Sequence, residues 1–215
     1  MSLIRFSAVS SKFLGLSAAV MLLGCASLVA EIMPQVEPKT DLAAIPAGRY
    51  EMDASHANVT FEINHMNFST YVGRFNKISG SLDFNANTPA TSTAEVKIDP
   101  ASVDTNNSVL EESLRGSKFF DVKAYPDLTY KSDRLEITGP ATGKLYGQLS
   151  MHGVTRPLVM DVTFRGGAKN PMTGDFTLGF AANGTLKRSD YGVSSYVPLI
   201  SDEVTLLFNA EFTKK

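Results

Sequence analysis

Residues 143–164 read GKLYGQLSMHGVTRPLVMDVTF, two alternating runs on either side of a compact His-Gly-Val-Thr-Arg-Pro connection. Leu145, Gly147, Leu149 and Met151 share one face of the first run; Leu158, Met160, Val162 and Phe164 share one face of the second. A period of two is that of a strand, so the stretch predicts an antiparallel pair with one apolar side. Two strands cannot keep that side dry, so partners must come from the rest of the chain.

They are present on both sides. Upstream, residues 49–53 predict a first edge strand, followed by a polar turn at Ala54-Ser55-His56 and a half-buried strand in which Val59, Phe61 and Ile63 alternate with polar residues. Residues 71–84 extend again, with Ile78, Gly80, Leu82 and Phe84 on one face, and residues 93–99 alternate until Pro100, which cannot donate to a ladder. The period then changes: Asn106 or Asn107 can cap a short helix that carries Leu110 and Leu114 on one side and stops at Gly116. Phe119-Phe120 cannot both point inward from a strand, so an irregular segment is expected, packed over a barrel mouth. Residues 127–130 and 134–138 resume extension across a Lys131-Ser132-Asp133 bend; Gly166-Gly167 and Asn170-Pro171 mark a loop.

Two further strands carry Phe176, Leu178, Phe180 and Ala182, then Val204, Leu206, Phe208, Ala210 and Phe212. So apolar a C-terminal strand invites aggregation as an open edge. About eight strands and one short internal helix therefore predict an all-β, closed antiparallel barrel. A two-sheet sandwich satisfies the same periodicity.

The chain has 215 residues and a formal net charge of −2, with charges of both signs mixed throughout; no concentrated basic face predicts a nucleic-acid partner. Arg5 and Lys12 precede the apolar run FLGLSAAVMLLG, which falls short of the roughly twenty residues of a membrane span and reads as an export signal. It ends in Leu22-Leu23-Gly24-Cys25, which resembles the lipobox of bacterial lipoproteins. The resemblance implies that Cys25 receives a diacylglycerol group and becomes the mature N-terminus, and Ala26 after it matches an outer-membrane sorting pattern. Cys25 is the only cysteine, so no internal disulfide can use it. Residues 26–47, with Pro34, Pro38 and Pro46, read as a flexible tether, and residues 48–215 as the barrel domain. The alternative is simple secretion into the periplasm, with cleavage near Ala30.

Tyr50-Glu51-Met52-Asp53, Ser55-His56, Phe61-Glu62-Ile63-Asn64-His65, Gly73-Arg74-Phe75, Phe119-Phe120-Asp121 through Tyr125-Pro126, Gly147-Gln148-Leu149-Ser150, Gly153-Val154-Thr155-Arg156-Pro157 and Arg188-Ser189-Asp190-Tyr191-Gly192 together resemble the YceI-like family of bacterial isoprenoid-binding proteins. Ser150 stands where that family commonly has Thr. The resemblance implies an extended lipocalin-like barrel with an apolar tunnel for a polyisoprenoid, an isoprenoid quinone or a fatty lipid, on the periplasmic side of the bacterial envelope.

Eight strands can enclose one slender ligand or be filled by their own side chains. Candidate lining residues are Phe61, Phe75, Phe84, Leu149, Met151, Met160, Phe176, Phe180 and Phe208. Arg188, with Asp190 orienting it and Tyr191 beside it, is the candidate for a headgroup or quinone oxygen at the tunnel mouth; the alternative is that Arg188 and Asp190 form a structural loop pair. Binding, sequestration or transport of a long apolar molecule is the leading expectation; a packed-barrel structural or stress-related envelope protein is the alternative. A second copy of the chain and the membrane, through Cys25, are the other candidate partners. His56, His65 and His152 lie in separate segments without a compact metal motif, and no serine has a G-x-S-x-G setting, so neither a metal, a catalytic residue nor a resident cofactor is expected.

Overall fold

The computed structural model describes residues 36–215. The expected export signal, Cys25 and the first part of the expected tether lie outside the described residues. Ten strands form one antiparallel sheet: β1 Gly48–His65, β2 Ser69–Phe75, β3 Ile78–Phe84, β4 Thr93–Ile98, β5 Val103–Asp104, β6 Leu128–Gly139, β7 Thr142–Met151, β8 Val154–Lys169, β9 Phe176–Lys187 and β10 Ile200–Lys214. Among the described residues one α-helix, α1, spans Ser108–Arg115.

β1 pairs with β10 from Tyr50↔Lys214 to His65↔Ile200, which closes the sheet and excludes a sandwich. The ten strands make eight staves. β2 and β3 run in succession along the same edge of β1, β2 opposite Val59–His65 and β3 opposite Gly48–Glu51, so together they form one interrupted stave. β5 continues β4 in the same way, pairing Phe75↔Val103 where β4 pairs Ile78↔Ile98. At about 3.3 Å per residue, the 18 residues of β1 run about 59 Å along the strand.

Several boundaries differ from the sequence reading, for one physical reason. Asp53-Ala54-Ser55-His56, Lys131-Ser132-Asp133 and Gly166-Gly167 do not end strands; each lies at or next to a register shift inside β1, β6 or β8. A bulge accommodates turn-like residues while the strand continues. The β7–β8 connection is only His152-Gly153, both with positive φ (52° and 75°), the backbone of a two-residue hairpin turn. Val154–Pro157 already belong to β8, and Pro157 lies where β8 pairs with β7 but not yet with β9, so its missing N–H breaks no recorded β8–β9 pairing.

α1 is built as its sequence predicts. The Asn107 side chain accepts from Leu110 N at the first turn, and Gly116 caps the end. Residues 38–46, inside the stretch whose composition suggests a tether, lie against the barrel. Lys39 bridges to Gly167, Ile45 is 2% exposed, and Tyr50 Oη donates to the Pro46 carbonyl at 2.5 Å.

Apolar side chains form two clusters along the interior. One contains Val59, Phe75, Leu149, Met151 and Val204; the other, towards the start of β1, contains Ile45, Tyr50, Phe84, Phe164, Leu178 and Phe212.

Candidate functional site: an apolar cavity with one polar clasp

The first cluster surrounds space instead of filling it. A cavity of about 620 Å³ runs beneath α1 and the following segment, within the usual range for small-molecule sites of ~300–1,000 Å³. The walls come from inward residues of β1 and β2 (Phe61, Ile63, Phe75), β7 (Leu149, Met151) and β10 (Val204, Leu206). The roof comes from Leu110 and Leu114 of α1, from Phe119 and Phe120, and from residues 193–200. Phe61 and Phe75 sit 5.7 Å apart by ring centroids, Phe120 meets Phe75 edge-on at 5.5 Å, and Phe119 stacks on Tyr196 at 6.3 Å. Aromatic pairs at these separations hold one another in place and leave flat apolar faces towards the void.

A narrower hollow of about 160 Å³ shares Val59, Ile98, Leu149 and Leu206 with the first and continues past Tyr130 to Met160, Phe180 and Phe208. The Tyr130 hydroxyl donates to the carbonyls of Leu145 (2.9 Å) and Leu158 (3.3 Å), and burial pushes its phenol well above its ordinary value. The ring has room because position 147 is glycine; a Cβ there would lie 2.7 Å from it. A third hollow of about 80 Å³, bordered by Phe84 and Phe180, ends the series.

The candidate residues therefore separate. Phe61, Phe75, Leu149, Met151 and Arg188 line the large cavity; Leu149 also borders the narrow one with Met160, Phe180 and Phe208; Phe84 borders the smallest. Phe176 packs against the second apolar cluster and lines none of the three. Tyr191 is 2% exposed and belongs to the first cluster, behind the cavity wall. Asp190 is exposed and away from the cavity.

The expected Arg188–Asp190 arrangement is not formed. The Arg188 guanidinium donates to four backbone carbonyls: Ser201 from Nε (2.9 Å), Val193 and Ser195 from Nη1 (3.0 and 2.9 Å) and Ile200 from Nη2 (3.0 Å). These tie the 193–201 segment to the end of β9. Burial lowers the Arg188 pKa, and Asp202 acts in the opposite direction. Asp202 meanwhile accepts from Ser189 N and Oγ at 2.8 and 2.7 Å. The planar fork of arginine suits this clasp, and it leaves little donor capacity for a headgroup.

The histidines do not converge. His65 borders the cavity beside Tyr71; His152 sits under Tyr125, its Nδ1 3.1 Å from the Tyr191 carbonyl oxygen. His56 pairs with Asp53 at 2.7 Å on the outer surface. With Glu211 these two offer ligand atoms within 4.8 Å of one another, but none of the three lines the cavity. The sequence reading omitted Tyr71 and the 193–200 segment from the candidate lining. The signal available for the latter was the run Tyr196-Val197-Pro198-Leu199-Ile200, too apolar for an ordinary loop.

A closed antiparallel barrel around an elongated, mainly apolar interior defines a ligand-binding architecture of the lipocalin kind. The family model described as "YceI-like domain" matches residues 50–212, and the chain belongs to that family. An Azotobacter vinelandii UPF0312 protein is 34% identical over 161 residues, covering 75% of this chain and 83% of the relative. Among solved structures, a Campylobacter jejuni YceI protein superposes with a TM-score of 0.63 at 30% identity, covering 84% of this chain and 99% of that one. Burkholderia cenocepacia BcnA gives 0.66 at 26%, covering 74% and 98%. A Saccharophagus degradans domain described as polyisoprenoid binding shares the fold at a TM-score of 0.60 and 16% identity, over 79% of this chain and 100% of that one.

Proposed function

We propose that this protein binds and carries one long, apolar, neutral-headed molecule of the isoprenoid class, and performs no chemistry on it. The observation that carries the reading is the roughly 620 Å³ cavity, whose lining contains no Lys, Asp or Glu and whose single Arg is held by backbone carbonyls. Such a lining gives a charged headgroup little to pair with. Each buried CH2 of an apolar chain contributes roughly 0.8 kcal/mol before ordering costs. Phe120 and Met151 supply adaptable and flat contacts for a branched chain. The polyisoprenoid binding ascribed to the Saccharophagus degradans domain supports the same class by analogy of fold.

The place of action we propose is the periplasmic side of the bacterial envelope, with Cys25 as a lipid anchor. Native mass spectrometry of the purified protein tests the binding. A stoichiometric apolar adduct, lost in Leu149→Trp, is expected; repeated recovery of the wild type without an adduct contradicts the reading. Labelling with a radioactive fatty acid tests the anchor: incorporation should vanish in Cys25→Ala, and absence of label from the wild type leaves simple secretion.

A further inference from the structure

The open end of the cavity has an unusual rim. Residues 63–73 and 191–201 contain no Lys, Arg, Asp or Glu, in a chain whose composition is one-fifth charged (20%). The first stretch holds the β1–β2 turn and the second leads into β10, and they are fastened together: Met66 N donates to the Leu199 carbonyl at 3.0 Å. Large apolar side chains on both stand in solvent, Phe68 at 87% exposure, Leu199 at 65% and Tyr196 at 64%. Met66, Tyr196 and Leu199 also line the cavity, so apolar surface continues from outside to inside without a polar break between them. The other end differs. Met172, in the β8–β9 turn, is equally exposed at 89%, but it stands alone between Lys169 and Asp175.

We propose that this rim is a bilayer-docking surface, through which the cavity exchanges its apolar ligand directly with a membrane. The inference rests on the ligand reading above. Two observations select a lipid surface as the occupant. The first is the complete absence of charge from both stretches, since charged groups resist entry into the headgroup–acyl boundary whereas Phe, Tyr and Leu partition there. The second is continuity with the cavity: a water-insoluble chain can slide from bilayer to barrel along Met66, Tyr196 and Leu199 without crossing water.

The test uses the full chain with Cys25→Ala, which leaves one introduced thiol for an environment-sensitive fluorophore, at Phe68→Cys or at Met172→Cys. Phosphatidylcholine vesicles should blue-shift and brighten the probe at 68 and leave the probe at 172 unchanged. Adding Leu199→Asp to the 68-labelled protein should weaken vesicle partitioning about tenfold, as expected for withdrawing one large buried side chain. Equal responses at both positions, a response only at 172, or none at 68 overturns the proposal. So does a blue shift at 68 that grows with protein concentration in the absence of vesicles, which makes a second copy the occupant. Native mass spectrometry on the same samples separates the two claims. A retained apolar adduct without shielding at 68 removes the docking surface alone; shielding at 68 with an empty cavity removes the ligand reading and keeps the docking surface.

Discussion

The two halves of the barrel interior obey the same alternating pattern and reach opposite outcomes. Near the start of β1, Phe164, Phe180 and Phe212 meet in series, tilted and then edge-on, with ring centroids 5.1 and 5.8 Å apart, and Ile45 is delivered from residues 38–46, so that only hollows of about 160 and 80 Å³ remain. Near its end, residues of comparable size line the walls, but α1, Phe119, Phe120 and the 193–200 segment form a roof over the space instead of a plug in it. Inward hydrophobicity therefore decides closure of the barrel. Whether the interior is full depends on what crosses from wall to wall.

Breaking the packed half should have the largest effect. Phe212→Ala is expected to cost about 4 kcal/mol by chemical denaturation, because the ring is 3% exposed, meets Phe180 edge-on at 5.8 Å and already borders a hollow that its loss would enlarge. Ligand affinity of the fraction still folded should change less than in Leu149→Trp, because Phe212 lines only the narrow hollow and not the large cavity. Arg188→Met comes next, at about 3 kcal/mol, because it strips the donor from four carbonyls at the edge of the cavity. It should also loosen the 193–201 segment, read as faster amide exchange there. Leu149→Trp sharpens the contrast from the open side: about 1 kcal/mol or less in stability, since the new ring enters space that is already vacant, but at least about a tenfold loss of ligand affinity.

The smallest effect lies outside both halves. Serine and histidine hydrogen bonds hold the Asp53 carboxyl down at about 2, while Asp53 raises the pKa of His56. The raised histidine stabilises the fold below its ordinary value near 6.5, and that contribution fades as pH rises through the folded value. The depressed aspartate contributes above the ordinary carboxylate value of 3.8 and loses its effect as pH falls towards 2. A proton titration by NMR should show His56 titrating above an ordinary histidine in the wild type and lower in Asp53→Asn, where Glu211 alone still raises it. The pair is exposed, so His56→Ala should shift the thermal midpoint only slightly below pH 6 and not at all above pH 8.

Much of the barrel is readable from local pattern. Period-two runs at 143–164 and 204–212, the Asn107 cap and the Gly116 stop each express a preference confined to a few neighbouring residues. The bulges were hidden because Ala54-Ser55-His56 and Lys131-Ser132-Asp133 have turn chemistry, and only the partner strand shows that pairing continues past them. The site was legible in kind but not in extent. Phe61, Phe75, Leu149 and Met151 face the cavity as their alternation implies, yet Phe84, with the same alternation, borders only the smallest hollow, and Phe176 packs against the second apolar cluster. The local sequence around Arg188 cannot show that carbonyls from 193–201 surround it, because that contact depends on the return of the chain into β10.

Photo-crosslinking with a diazirine-bearing long-chain isoprenoid, followed by peptide mapping, tests the division of the interior most directly. Adducts are predicted on the segments that carry Phe61, Phe75, Phe119, Phe120, Leu149 and Met151, with few beyond Tyr130. Adducts concentrated on Phe84, Phe164 or Phe212, or none inside the barrel, would contradict the account.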